Sequence, residues 1–250
     1  MNAAIRVELL KLSRSPVITV ATTALIMGIL ALLDGITLGI KTGNPHLIAK
    51  AGPAATLDWA GLLLAADQVI SAAGLLGFGM VLSWIFGREF ADGTISGLFG
   101  LPTSRSEIAG AKFVVYLIWC LIVSATLTLG LLLLGVAYGY GMPPITGLWK
   151  VAGLSFFSAL VALPVAWVTT LSRSVFAGIG TTIGLVVTAQ VGALVGVSSW
   201  LPTVAPALWA LSLATGWIVV AVVVPWAAIF AVVCCRSWGG VKLFVCGACL

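Results

Sequence analysis

Charged residues are scarce in this chain of 250 residues. They make up 8% of the sequence, whereas hydrophobic residues make up 61% and the mean hydropathy is +1.22. In soluble globular domains about a quarter of the residues are charged, and a fold of this length has too little interior to bury so many apolar side chains. The scarcity excludes a soluble domain and leaves lipid as the solvent for most of the surface.

The residues that metal chemistry requires are also rare. The only histidine, His46, has no cluster of cysteines or carboxylates near it in the sequence. Of five cysteines, only Cys246 and Cys249 have the spacing of metal ligands, and no second pair or histidine completes a set of four ligands. We therefore predict no metal site and treat the cysteines as reduced thiols with a minor structural role.

Catalytic motifs are missing as well. The sequence contains no G-x-S-x-G nucleophile motif and no G-x-x-x-x-G-K-[ST] phosphate-binding loop. We do not expect the chain to be an enzyme, to hydrolyse a nucleotide by this route or to hold a cofactor of its own. The energy for any transport must then come from another chain.

Six apolar runs are each long enough to cross the hydrocarbon core as a helix of about 20 residues. Because lipid excludes open sheet edges, the runs predict an all-α polytopic membrane protein with a single transmembrane domain over residues 1–250. Residues 1–15 precede the first run and are predicted to form an amphipathic helix at the membrane interface. The spans are predicted near residues 16–40, 68–86, 113–137, 151–171, 175–197 and 211–235.

Lysine and arginine are unevenly distributed between the two sets of loops. With the N-terminus placed inside, nine of the twelve basic residues lie in inner segments, and Lys41, Lys50 and Lys150 lie in outer ones. The positive-inside rule then places both termini and residues 87–112 in the cytoplasm. This topology explains the net charge of +5, and the basic residues form no dense stripe for binding nucleic acid.

Asp34 is the one charged residue inside the predicted spans, and it lies near the outer end of the first span. One interpretation is an interfacial residue, and the other is a group that lines a translocation pathway, since charges within membranes are often functional. The fifth span offers the few polar side chains that such a pathway would have, namely Thr181, Thr182, Thr188 and Gln190.

Charge is concentrated in the stretch GREFADGTISGLFGLPTSRSEIAGAK, residues 87–112, which holds six of the nineteen charged residues. A solvated inner loop explains the basic residues, but it does not explain the acidic ones or the apolar Ile95, Leu98 and Phe99 at helical spacing. We therefore predict a short amphipathic helix that presses on a partner protein. Glu89 is expected to be accessible to water, so that its replacement would change stability by no more than about 1 kcal/mol.

This stretch resembles the cytoplasmic signature of ABC-2 type permeases, with an acidic residue, a Gly-Thr pair, a Leu-Pro-x-Ser-Arg segment and a lysine that opens the next span. The N-terminal IRVELLKLSRSP is similar to the interfacial helix of that family. The resemblance covers the whole chain in length, six-span layout and loop placement, and is close to bacterial permeases for bacitracin, lantibiotic and drug export. The tail CCRSWGGVKLFVCGACL departs from the family pattern because it is more apolar.

The resemblance implies a complex in the bacterial inner membrane, in which two permeases, identical or related, join two ATP-binding subunits that bind ATP and Mg²⁺. The cytoplasmic helix would be a coupling helix held in a groove of the ATPase. Residues 199–212 would form an external re-entrant segment. The residues that the resemblance assigns to coupling are Arg88, Glu89, Gly93, Thr94, Pro102, Arg105 and Lys112.

Glycines at helical spacing indicate surfaces on which helices pack closely. The pairs with Gly-x-x-x-Gly spacing are Gly35 and Gly39, Gly180 and Gly184, and Gly192 and Gly196. One six-span unit offers too little wall to enclose a pathway for a drug-sized molecule. We therefore predict a dimer of permeases.

These observations favour the permease subunit of an ABC exporter that moves a hydrophobic or amphipathic compound, such as a drug, an antibiotic or a peptide. Two alternatives stay open at this point: an exporter of lipid or glycan precursors, and a non-transport membrane anchor or assembly protein. An ATPase partner with substrate-stimulated ATP turnover distinguishes the transport hypotheses from the anchor.

Overall fold

The computed structural model describes residues 2–95, 97, 104–196, 199–211 and 215–240. All regular structure in this part of the chain is helical. A 3₁₀ turn lies at Gly52–Ala54, and a π-helical segment lies at Ile70–Gly74. The helices are α1 (Asn2–Ser13), α2 (Pro16–Lys41), α3 (Pro45–Ala51), α4 (Trp59–Val69), α5 (Leu75–Ala91), α6 (Arg105–Ala137), α7 (Ile145–Val161), α8 (Pro164–Ser172), α9 (Val175–Val195), α10 (Ala205–Ala210) and α11 (Gly216–Gly240).

Six helical stretches are long and apolar enough to cross a membrane. Four are single helices, α2, α6, α9 and α11, and two are composite. The second span joins α4 to α5 over Trp59–Ala91, and the fourth joins α7 to α8 over Ile145–Ser172. This confirms the all-α fold class with six candidate transmembrane helices. The second and fourth spans are the most buried, so they form the centre of the bundle.

Three of the helices begin at capping residues that the sequence shows. Ser15, Asp58 and Ser104 each accept a hydrogen bond from a backbone N–H in the first turn of α2, α4 and α6 respectively. Each bond satisfies a donor that a helix leaves unpaired at its start. At Asp58, the backbone N–H of Gly61 and the hydroxyl of Thr56 both donate to the carboxylate, which lowers the pKa of that group.

The helices extend further into the charged stretch than expected. α5 and α6 cover all of residues 87–112 except 92–104, so Arg88, Glu89 and Lys112 lie in helices. Charged side chains remain inside these helices because they have partners there, as described below.

The second span begins at Trp59 rather than near residue 68, because Asp58 caps a helix at that point. Asp67 therefore lies inside a candidate span, where only Asp34 was expected to carry charge.

The fourth span is interrupted at Pro164, which has no backbone N–H to donate to the preceding turn. α7 ends at Val161, and the carbonyl of that residue accepts a hydrogen bond at 3.3 Å from the indole N–H of Trp226 on α11. A side chain of the sixth span thus satisfies backbone that the break releases in the fourth, as a membrane interior requires.

Two glycines allow α5 and α9 to approach each other closely. A Cβ atom on Gly79 would collide with Thr182, and one on Gly178 would collide with Ser83 and Thr169. The hydroxyl of Ser83 donates to the carbonyl of residue 175 at 2.7 Å across the same contact. The second and fifth spans are therefore held together by small residues and a buried hydrogen bond.

The glycine pairs singled out in the sequence are placed differently. Gly39 packs against Leu47, and Gly196 ends α9 with a φ of 73°. Gly180 and Gly184 face open space. A face that is open within one chain is a suitable surface for another, and the predicted permease dimer stays a prediction.

We predict that Gly178→Ala lowers the free energy of unfolding by about 1–3 kcal/mol, because an added methyl group overpacks the contact between α5 and α9. Gly184→Ala is the matched control, and it should be neutral or stabilise by about 0.5–1 kcal/mol, the usual preference of a helix for alanine. Thermal unfolding of the purified protein in mild detergent measures both. Equal melting temperatures for the two variants would contradict the packing described here.

Candidate functional site

Four charged side chains meet where α1, α5 and α6 come together, and we call Glu8, Lys11, Glu89 and Lys112 the ion cluster. The Nζ atom of Lys112 lies 3.2 Å from Oε2 of Glu8 and 3.0 Å from Oε1 of Glu89. The Nζ atom of Lys11 lies 2.6 Å from Oε1 of Glu8 and 2.9 Å from Oε1 of Glu89. Each cation therefore bridges both carboxylates, and the four charges cancel.

Lys112 lies at the centre of the ion cluster and is only 1% exposed. Its ammonium group faces the two carboxylates, and it also donates to the carbonyl of Ile85 at 3.1 Å. An ammonium group has three N–H donors and no acceptor, so every donor has an acceptor here. This set of partners explains how a lysine remains charged in an otherwise apolar helix.

Glu89 is 3% exposed and lies within α5, which corrects the expectation of a water-accessible loop residue. Its Oε1 accepts from both Lys11 and Lys112, whereas its Oε2 has no hydrogen-bond partner among the described residues. The sequence did not reveal the burial because the two lysines lie far away along the chain.

Lys11 is the most exposed member of the ion cluster. Burial alone would lower the pKa of its ammonium group, but hydrogen bonds to Glu8 and Glu89 and their negative charges raise it above its ordinary value. Because the folded pKa is the higher one, this stabilisation is fully present below the unfolded pKa. It is lost as the pH rises through the folded pKa. The cluster is therefore intact at neutral pH.

Aromatic rings connect the ion cluster to its surroundings. The guanidinium group of Arg88 lies 4.6 Å from the ring centre of Trp84, one turn earlier on α5. The Nζ atom of Lys112 lies 5.8 Å from the ring centre of Trp238, near the end of α11. Cations are attracted to the faces of such rings, so the last span also packs on this joint.

The remaining residues assigned to coupling lie in or beside the segment between α5 and α6. Gly93 has a φ of 67°, a left-handed conformation that only glycine adopts readily, and Thr94 is exposed. Arg105 is half-buried at the first position of α6. Pro102 lies outside the described residues, as do residues 98–103 and with them most of the predicted amphipathic helix. The structure thus brings three of the seven coupling residues together at or beside the ion cluster.

Asp34 lies toward the other end of the first span, where its Oδ1 accepts a hydrogen bond from the hydroxyl of Tyr138 at 2.7 Å. This bond raises the pKa of Tyr138 to about 12. The Nζ atom of Lys41 lies 5.6 Å from the centre of the same ring. Asp34 is exposed and paired at the end of α6, an environment that matches the interfacial interpretation.

A cavity of about 300 Å³ lies between the second, fourth and fifth spans and α10, and we call it the cavity below. Gln190 lines it, and its Nε2 atom lies 3.5 Å from the hydroxyl oxygen of Ser71. Thr181, Thr182 and Thr188 do not line it, and their hydroxyls donate to carbonyls of their own helix, α9. Of the predicted pathway residues, the structure therefore places one at this cavity.

Asp67 also lines the cavity, and sequence reasoning missed it. It is 7% exposed, and its Oδ1 has no hydrogen-bond partner among the described residues. The available signal was Asp58 directly before Trp59, which marks a helix start ahead of the expected span.

The run predicted to re-enter the membrane contains the short helix α10, and Pro206 and Ala207 from it line the cavity. Residues 197–198 and 212–214, which flank this region, lie outside the described residues. The re-entrant path therefore stays a prediction, while the contact between α10 and the cavity is a finding.

Metal-ligating side chains do not come together in the described part of the chain, where no three His, Cys, Asp or Glu residues form a group. Cys120 and Cys234 are buried and Cys235 is half-buried, and all three are free thiols. Cys246 and Cys249 lie outside the described residues.

Comparison with known proteins bears directly on these sites. A family model described as ABC-2 family transporter protein matches residues 4–190. The matched region includes the whole ion cluster, Asp67 and Gln190. A comparison with curated proteins gave no match.

We predict that Glu89→Ala lowers the free energy of unfolding by about 3–5 kcal/mol, because it leaves Lys112 buried with one carboxylate fewer. Asp92→Ala is the matched control, since that acidic residue is exposed three positions later and should change stability by less than about 0.5 kcal/mol. Thermal unfolding in detergent distinguishes the two. Equal, small effects would mean that Glu89 is solvated after all.

Proposed function

The chain belongs to the ABC-2 transporter family, and we propose that it is the permease of an ATP-driven exporter for hydrophobic or amphipathic compounds. Family membership and six candidate spans make it a multi-pass membrane component of an ABC transporter. The observation that carries the proposal is the ion cluster. It fastens α1 and α6 to the end of α5, on both sides of residues 92–104.

A force applied to residues 92–104 would reach two spans together. The segment leaves α5 and enters α6, and the two helices are tied by the 3.0 Å contact between Glu89 and Lys112. Glu8 and Lys11 tie α1 to the same contact. Because the joint is buried and bonded from three helices, it would pass on a movement rather than absorb it. This is the mechanical property that a coupling element for an ATP-binding subunit needs.

The partners in this proposal are two ATP-binding subunits, which bind ATP and Mg²⁺, and a second permease. ATP hydrolysis is assigned to the partners because this chain has no phosphate-binding loop. The protein lies in the bacterial cytoplasmic membrane with both termini and the ion cluster on the cytoplasmic side. The excess of basic residues in the inner segments supports that orientation.

The proposed cargo is apolar or amphipathic because little else would be retained by these walls. The cavity measures about 300 Å³, which is the lower end of the range for sites that hold drug-sized ligands. A larger cargo therefore needs a pathway between two permeases. The open face at Gly180 and Gly184 supports such pairing.

The most direct test of this function is purification of the tagged permease from its native host in mild detergent. We expect an ATP-binding subunit to co-purify, and the reconstituted complex to hydrolyse ATP faster when its cargo is present. A permease that is recovered alone, or a complex whose ATP turnover never responds to any amphipathic compound, would favour the anchor or assembly alternative.

We predict that Gly93→Val weakens binding of the ATPase, or separates ATP hydrolysis from transport, while the protein still inserts and folds. The exposed turn needs a positive φ, which a β-branched residue adopts only with strain. Gly93→Asn is the conservative variant, because asparagine tolerates this conformation better, and it should retain much more of the coupling. Co-purification of the ATPase and transport into inverted vesicles measure the effect. Wild-type transport by Gly93→Val would make residues 92–104 a mere connector.

A further inference from the structure

The cavity contains a buried acidic group that the coupling mechanism does not use. Asp67 lines it from the second span, 7% exposed, and one of its carboxylate oxygens has no hydrogen-bond partner among the described residues. The two oxygens of a carboxylate exchange by rotation about its last torsion, so the group as a whole has an unused acceptor at the cavity wall. An ionised carboxylate that is removed from water needs a cation or several donors.

Other polar side chains converge on the same space. The hydroxyl of Thr203 is also buried without a partner in the described part of the chain. Ser71 donates to the carbonyl of Gln68, and Gln190 reaches Ser71 from the fifth span. All of these residues line the cavity. Two unsatisfied polar atoms beside a network of amides and hydroxyls indicate a binding site rather than a packing defect.

The backbone next to Asp67 is irregular. The π-helical segment Ile70–Gly74 begins three residues after Asp67, and both Ser71 within it and Leu75 after it line the cavity. Single π-helical turns inside α-helices occur often at functional sites, where they displace the side chains that follow. The irregularity therefore coincides with the wall of the cavity and with the buried acid.

Lys150 is the other charged residue near this site. It lies on α7 and, together with Asp67, lines a smaller space that adjoins the cavity. The two side chains interact electrostatically. Among the described residues that line these two spaces, Asp67 and Lys150 are the charged ones. The acid thus has a cation on one side and the cavity on the other.

We propose that the cavity binds the protonated amine of an amphipathic ligand, and that Asp67 is the ion-pair partner of this amine. Apolar side chains from four elements supply the surface for the hydrocarbon part of the ligand, among them Leu75, Leu154, Val161, Leu194, Ala207 and Leu211. Ca²⁺ or Mg²⁺ is disfavoured, because such ions need about six oxygen ligands and little apolar wall. The inference deepens the proposed transport function, on which it rests, by naming the charge class of the cargo.

The test uses the purified full-length permease and a fluorescent probe, a dansyl group joined by a five-carbon chain to a terminal amine. The matched probe has a hydroxyl group in place of the amine. We expect the amine to bind at least about tenfold more tightly than the alcohol, as a charge-assisted hydrogen bond to a buried carboxylate provides. Equal affinities for the two probes would overturn the proposal.

Three variants make the test specific. Asp67→Asn keeps the shape of the side chain and should remove the preference for the amine while the alcohol binds as before. Asp58→Asn is the matched control at an exposed carboxylate that does not line the cavity, and it should keep the preference. Lys150→Met removes the competing cation and should strengthen amine binding several-fold, a result that loss of folding cannot imitate. If Asp67→Asn kept the preference, or Lys150→Met weakened amine binding, the assignment of Asp67 would be wrong.

Binding by the isolated permease does not depend on the ATPase, so the two proposals fail separately. Amine binding without any ATP-driven transport would contradict the proposed function and leave this site in place. ATP-driven transport that is indifferent to the charge of the cargo and to Asp67 would do the reverse.

Discussion

The ammonium group of Lys112 is out of contact with water, and the charged end of the bundle is arranged around its acceptors. Two carboxylates from different helices and one backbone carbonyl lie within 3.2 Å of it. A buried charge that loses such partners costs several kcal/mol, so α1, α5 and α6 must stay together as long as Lys112 is charged. Glu8, which is 104 residues away along the chain, makes the N-terminal helix part of the transmembrane body.

The second span connects this joint to the cavity. It holds Glu89 near one end and Asp67 in the part that follows Asp58, with the π-helical segment between them. α5 also packs tightly on α9, which carries Gln190 in the cavity wall. A displacement of the second span at the ion cluster would therefore alter the walls of the cavity. This is how a force at residues 92–104 could change the affinity for a ligand bound far from it.

Much of the fold could be predicted from the sequence, because six long apolar runs permit few other structures in lipid. The ends of the helices could not. Glu89 and Lys112 were expected at the edges of a solvated loop, since unpaired charges end membrane spans. Their pairing depends on Glu8 and Lys11, whose positions no local pattern relates to them. Asp67 was missed for a related reason, because its helix is started by a cap at Asp58 rather than by the apolar run.

A double-mutant cycle between Glu8 and Lys112 tests the central claim most directly, because it isolates the energy that links the N-terminal helix to the transmembrane body. The free energy of unfolding is measured for Glu8→Gln, Lys112→Met and the double variant. The structure predicts that each single change is strongly destabilising and that the double change costs at least about 1 kcal/mol less than their sum. Effects that add to within about 0.5 kcal/mol would show that the two side chains do not interact, and that the ion cluster does not hold these helices together.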